Sequence, residues 1–425
     1  GVPNVTFNGL TFERTLVGTA ISGCISSNQA ASGLTVTSCR FIDQSGSTST
    51  FNQAIRTEGT DFVNITGNYF NGFYYHFFGN GITTNSGYTQ GLVFVANTME
   101  NYRYGFYAVN QSGAVVSGNT CTDVNSASTF GYGLYTSRTI GLTMSETRVL
   151  GRVGNMGIYI LNPNIDSLGT ENRVFNNLVS GTANVSSTIV SYGIYVGGSF
   201  STSTTIVPLN PLDQVSVVNN TVNLVMSSTS TTVYGAGIHI IGGSATTPAI
   251  SSVTVLNNLV NLTADAGPFR TNIKGIYYAG QWLIDSLTAN HNAVWITNAD
   301  GTPSGTDLFW NNSPAMGYTS VSAWSTASGR DALSLSVSPD LISANIARPT
   351  SLPLDNKGTP VAYVQSDIEG LSRSATTPDI GAYEFVGLQF SQITVTPLAD
   401  TLLSTGRTIT INIVDTTGLI TGAAN

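Results

Sequence analysis

A chain of 425 residues has room for two or three ordinary domains, yet only 9% of it is charged while 41% is apolar. Gly, Ser, Thr and Asn are abundant beside plentiful Ile, Val, Phe and Tyr, which excludes a disordered chain and fits a β-rich solenoid with small polar residues at its turns. The net charge is −8 and there are only two lysines, Lys274 and Lys357, so no basic stripe exists to neutralise phosphates and nucleic acid is excluded as a partner.

The chain opens at Gly1 without a methionine, as a processed or excerpted segment of a longer multidomain protein would. No apolar run is long enough to span a bilayer. Cys24, Cys39 and Cys121 allow one bridge, with Cys24–Cys39 the nearer pair, or three buried thiols.

From residue 36 onward one short pattern recurs: apolar, two residues, Asn, any residue, apolar. It reads ITGNYF (65–70), FVANTM (94–99), VSGNTC (116–121), VFNNLV (174–179), VVNNTV (217–222) and VLNNLV (255–260). ANHNAV (289–294) is the last copy, and VTSCRF (36–41) and MSETRV (144–149) place Cys39 and Thr147 at the Asn station. Between these stations stands Gly–apolar–Tyr, as GFY (105–107), GLY (133–135), GIY (157–159), GIY (193–195), GIH (237–239) and GIY (275–277). Two motifs alternating at spacings of about 22 to 43 residues predict coils of three short strands and three turns. Helical repeats would need apolar residues at positions 3, 4 and 7, and a propeller blade does not fit between stations 97 and 119. The expected architecture is therefore an all-β, right-handed parallel β-helix over residues 1–310, nine or ten rungs and roughly 45 Å long. Residues 311–387 are expected to cap its end, because a last rung exposes unpaired edges. Residues 388–425, with alternating segments at 393–398 and 408–415, read as the first strands of a truncated immunoglobulin-like β-sandwich.

In the Gly–apolar–Tyr strand, faces alternate. With Ile158, Ile194, Ile238 and Ile276 turned inward, Tyr107, Tyr135, Tyr159, Tyr195, His239 and Tyr277 form an outward ladder. Insertions at 162–170, 181–190, 198–212, 227–233, 242–250 and 263–273 flank that strand and are expected to wall a groove. Sugar rings suit such a strip, whereas packing under the loops is the competing reading. If the groove is catalytic, Lys274 is the candidate base, with a pKa lowered by desolvation, and Arg270 and His239 are its expected neighbours. No Asp or Glu cluster recurs at neighbouring rungs to bind Ca²⁺, and no metal or other cofactor is expected. His76 falls in the Gly station of an early rung, where a packed role is expected. His291 has no partners at metal-ligand spacing.

These repeats resemble the pectate-lyase-like right-handed parallel β-helices over about residues 5–310, by pattern more than by identity. VQSDIEGLSRSATTPDIGAYEF (364–385) is similar to the closing signature of large secreted surface proteins of Bacteroidetes-type bacteria, with its PDIGAYE ending. The resemblance implies export, by the type IX route, and a place at the cell surface. The lyase and polygalacturonase motifs of the β-helix enzymes are absent. Asp367, Arg373, Asp379 and Glu384, concentrated against a charge-poor background, are expected to serve structure. The expectation is a non-catalytic, adhesin-like or structural extracellular module whose partner is a polysaccharide or a cell-surface protein. The alternative is a polysaccharide lyase or glycoside hydrolase acting in the same groove.

Overall fold

A computed structural model describes the chain except residues 1–3, 16–21, 29–31, 46–51, 82–87, 124–130, 164–169, 186–189, 198–213, 229–233, 242–251, 265–271, 280–286, 313–314, 344–345, 388–412, 415–418 and 421–425. The described residues form a right-handed parallel β-helix. Sheets I and II each stack ten parallel strands, from Val5–Asn8 to Leu287–Asn290 and from Thr11–Arg14 to Ala293–Asn298. Sheet III runs from Ser22–Ser27 to Phe309–Asn312. One coil shows the plan: Val93–Val95 in sheet I, Thr98–Glu100 in sheet II and Tyr104–Ser112 in sheet III. Every third strand pairs with its equivalent one coil on, as Phe94 with Val116 and Met99 with Cys121.

The turn between sheets I and II explains the recurring Asn. Its first residue is left-handed in every rung, from Ser38 (φ 53°), Gly67 (65°), Ala96 (55°) and Gly118 (65°) to Asn176, Asn219, Asn257 and His291. The Asn that follows is buried. Asn220 Nδ2 donates to Val174 O at 2.9 Å and to Asn258 Oδ1 at 3.1 Å. Its own Oδ1 accepts from Asn177 N and Nδ2, both at 3.0 Å. The amides thus ladder from rung to rung and satisfy turn groups that water cannot reach. Thr147 continues the ladder with one hydroxyl, accepting from Asn119 N at 3.3 Å. Cys39 carries it one rung further, its backbone N–H donating to Asn68 Oδ1 and its sulfur accepting from Leu10 N at 3.4 Å. All three cysteines are free thiols.

Inside, equivalent side chains stack. Ile158, Ile194, Ile238 and Ile276 are fully buried in sheet III, opposite Val149, Val179, Val222 and Val260 of sheet II. The Gly station lies between them. A Cβ on Gly193 would meet Val222 Cγ1 at 2.4 Å and Gly237 O at 2.6 Å, so no larger residue fits beside the valine column. In an earlier rung the same station holds His76, which is fully buried and stacks on Phe70 at 5.6 Å, the packed role expected of it.

The expected cap divides in two. Residues 309–335 close the end of the rod. Phe309–Asn312 turns back as an antiparallel hairpin with Ala315–Tyr318, and the helix Val321–Ser328, capped by Ser320, lays Trp324 against Phe309 and Tyr278. Asp331 and Ser334 finish the Asn ladder: Asn292 Nδ2 donates to Asp331 Oδ1 and Asn292 N to Ser334 Oγ, both at 2.8 Å. Residues 336–387 are not at the end. They run along the flank of the rod, over the outward side of sheet II and the Asn turn. Leu354 and Ile380 bury Leu259 and Ala293, while Ile368, Ala382 and Tyr383 bury Leu178. The physical reason is that this outward column, Thr98, Thr120 and Arg148 in earlier rungs, becomes Leu178, Leu259 and Ala293 in later ones, with Thr221 among them accepting from Ala382 N at 2.8 Å. The expected immunoglobulin-like segment 393–398 and all of 408–415 but Ile413–Val414 lie outside the described residues; Ile413–Val414 pairs antiparallel with Leu419–Ile420.

Candidate binding surface

Tyr104 and Tyr107 lie three residues apart on one strand, which in a regular strand would place them on opposite faces. The register pairs Tyr104 with Tyr132 and Phe106 with Leu134 but leaves Gly105 unpaired. The Gly station is thus a bulge repeated rung after rung, and it turns both flanking tyrosines outward. Two aromatic columns result. One is Tyr75, Tyr104 and Tyr132, stacked at 4.7 and 4.8 Å. The other is Phe78, Tyr107, Tyr135, Tyr159 and Tyr195, stacked at 4.6 to 5.0 Å. Between columns the rings are nearly perpendicular, 88° for Tyr104 and Tyr107. Repeated perpendicular pairs are favourable for ring quadrupoles, so the rings of the strip hold one another in place.

The sequence-predicted ladder is therefore present but uneven. Tyr107, Tyr135 and Tyr159 are partly exposed, whereas Tyr195, His239 and Tyr277 retain only 8%, 4% and 7% of their surface. The first column, Tyr75, Tyr104 and Tyr132, was missed because the sequence motif hid the bulge. A tyrosine before each Gly at 104, 132 and 192 was its signal. Burial raises the phenol pKa of Tyr107 and Tyr135, so these hydroxyls stay protonated donors. Of the insertions expected to wall a groove, 198–212 and 242–250 lie wholly outside the described residues, as do 164–169, 186–189, 229–233 and 265–271 of the other four, while residues 181–185 continue the strand Leu178–Val185.

His239 lies flat on Tyr277 at 4.1 Å, with Tyr192 and Tyr195 against its edges. Burial pulls its pKa down to about 3, and neither ring nitrogen has a hydrogen-bond partner among the described residues. Nothing there orients it as a base. Lys274 is desolvated as expected, and that lowers its pKa, but its surroundings differ from the expectation. Only 3% of its side chain is exposed. Its Nζ pairs with Asp307 Oδ2 at 2.5 Å and lies 4.0 Å above the Trp310 ring and 5.2 Å from that of Tyr234. An ammonium held by a carboxylate and two rings is a packed ion pair. His239 falls in the neighbouring column, where it pairs with Tyr277, and Arg270 lies outside the described residues. Among the described residues no three His, Cys, Asp or Glu side chains group to hold a metal, and no helix is long and apolar enough to cross a membrane.

The fold and this face define a class: a repeat-built β-solenoid with a stacked aromatic strip along one side. No family model matches the chain, and no curated protein matches its sequence. Among solved structures it is similar to the catalytic domain of a GH87 alpha-1,3-glucanase determined in complex with tetrasaccharides. The match has 11% identity and a TM-score of 0.27, over 72% of this chain and 61% of that one. The chain thus spans about three fifths of the length of that protein. A superposition so loose fixes no residue correspondence.

Proposed function

We propose that the chain is a non-catalytic surface module that holds an extended glycan along the open part of the strip, Tyr75, Tyr104, Tyr107, Tyr132, Tyr135 and Tyr159. The observation that carries the reading is the pair of partly exposed tyrosine columns running with the rod axis. Phenol edges and hydroxyl donors repeating once per rung suit a polymer whose own hydroxyls repeat along its length. An extracellular, cell-surface setting belongs to the same proposal and rests on the charge-poor, Ser/Thr/Asn-rich composition.

Glycan-array and affinity-gel binding test it. Tyr107→Ala with Tyr135→Ala should weaken retention about tenfold, equivalent to ~1.4 kcal/mol. No retention on any glycan by the parent chain would sink the binding role. Release of unsaturated or reducing sugar from any retained polymer, abolished by Lys274→Ala, would replace the non-catalytic reading with the lyase or hydrolase alternative.

A further inference from the structure

The chain holds two lysines, and one of them is buried on a carboxylate. Lys274 stands on the sheet III strand Ile273–Ala279, at the outward station that carries Tyr104 and Tyr132 in earlier coils. Asp307 comes two residues before Phe309–Asn312, the sheet III strand of the last coil, which pairs with Ile273–Ala279. Gly275 N donates to Asp307 O at 3.2 Å, which sets the two residues side by side.

The carboxyl is held from both sides. A Cβ on Gly317, in the returning strand Ala315–Tyr318, would lie 2.1 Å from Asp307 Cγ, so the carboxyl rests directly on bare backbone there. Opposite stands Lys274 Nζ, 2.5 Å from Oδ2. The Trp310 and Tyr234 rings lie 4.0 and 5.2 Å from the ammonium, and the two side chains keep only 3% and 20% of their surface. The other ion pairs among the described residues, Arg56–Glu58, Arg173–Glu171, Arg348–Glu369 and Arg373–Glu384, all use arginine. A guanidinium stays protonated, whereas an ammonium taken out of water gives up its proton readily. Desolvation lowers the Lys274 pKa, ahead of the opposing pull of Asp307. Burial of both charges favours the neutral amine beside the neutral acid. An amine fixed against a carboxyl carbon and shielded from water is arranged for condensation.

We propose that Lys274 and Asp307 join through an intramolecular amide bond, which locks the last coil to the one before it. One proton passes from Nζ to the carboxylate. The neutral Nζ then attacks Asp307 Cγ, and a second proton leaves with the departing hydroxyl as water. The N–C bond forms and the C–O bond breaks, so ammonium and carboxylate become amide and water without an oxidant or further reactant. The last coil of the rod has a neighbouring coil on one side only, and a bond at this place resists fraying from that end. The proposal does not rest on the aromatic strip, and an amidated Lys274 has no lone pair left to serve as a base.

Intact-mass spectrometry of the full chain, folded and then denatured, tests it. The expected mass is ~18 Da below that of the sequence, the loss of one water. Tryptic cleavage after Lys274 should be absent, and digestion should yield one branched peptide that contains both Lys274 and Asp307. Lys274→Arg keeps the positive charge and should show the full mass of its sequence. Asp307→Asn should still join, now ~17 Da below its own sequence through loss of ammonia. Circular dichroism checks that both variants fold. A parent chain at its full mass and cleaved after Lys274 overturns the proposal and leaves an ion pair. So does a water-sized loss that persists in Lys274→Arg, because the water then comes from elsewhere in the chain.

Discussion

At the scale of single residues, the Asn turn carries much of the rod. Each ladder Asn accepts a buried backbone N–H of the rung before and donates to a carbonyl of that rung, as Asn220 does for Asn177 and Val174. Removing one amide leaves several buried groups unpaired, each costing about 1–3 kcal/mol. Asn220→Ala should therefore destabilise the protein by roughly 3 kcal/mol or more in a chemical-denaturation experiment. Asn220→Thr should be milder, because Thr147 shows that one hydroxyl sustains the ladder. An equal loss for both variants would show that the amide hydrogen bonds are not the source. The left-handed residue before each Asn tells a second story. Gly67 and Gly118 adopt it without strain, while Asn176, Asn219 and Asn257 use their side chains elsewhere.

At the scale of elements, that use is the returning flank segment. Asn176 Oδ1 accepts from Arg373 at 2.9 Å, Asn219 Nδ2 donates to Asp379 O at 3.2 Å, and Asn257 Nδ2 donates to Thr359 O at 2.7 Å. His291 meets Lys357 O at 2.7 Å. The doubled Asn in VFNN, VVNN and VLNN therefore marks the rungs on which the segment lies. Asp367, Arg373, Asp379 and Glu384 form one network that folds it. Asp379 accepts from Asn356 N and Phe385 N at 2.6 Å, and Arg373 reaches Glu384, Asp379 O and Gly381 O. Burial raises the Asp379 carboxyl from 3.8 to about 7, ahead of the opposing backbone hydrogen bonds. A raised folded pKa means that the folded form holds the proton more tightly. Its contribution is complete below about pH 3.8 and is lost as pH rises through about 7. Hydrogen exchange at Gly381 and Ala382, corrected for intrinsic rates, should therefore show easier opening at pH 8 than at pH 5.5. Equal protection at both would remove Asp379 as the cause.

For the whole molecule, a solenoid couples each rung only to its neighbours. The flank segment changes that, because Arg148 donates to Ile368 O at one end and Ala293 packs beside Ile380 at the other. The coils from Arg148 through Leu178, Thr221 and Leu259 to Ala293 are thereby tied into one unit. Arg373→Met breaks a buried charge network, a change worth about 3–5 kcal/mol. It should release residues 336–387 to limited proteolysis while the rod keeps its circular dichroism, and split the melting curve into an early and a late transition. A single transition in that variant would show that the segment does not couple the rungs.

The alternation of Asn and Gly–apolar–Tyr stations was enough to determine the parallel coil, the inward isoleucines, the outward tyrosines and the packed place of His76. Period and side-chain alternation are local, and every rung repeats them. The second tyrosine column required the bulge at Gly105, because a two-residue period alone puts Tyr104 on the wrong face. The partner of Lys274 required the fold, since Asp307 lies a full coil away along the chain. The flank segment required it as well, for its contacts join residues more than a hundred positions apart, and no local pattern encodes which outward face will be covered. Along the chain, the sequence by itself determined the repeat. Where the repeat meets something outside its own period, only the tertiary structure decided.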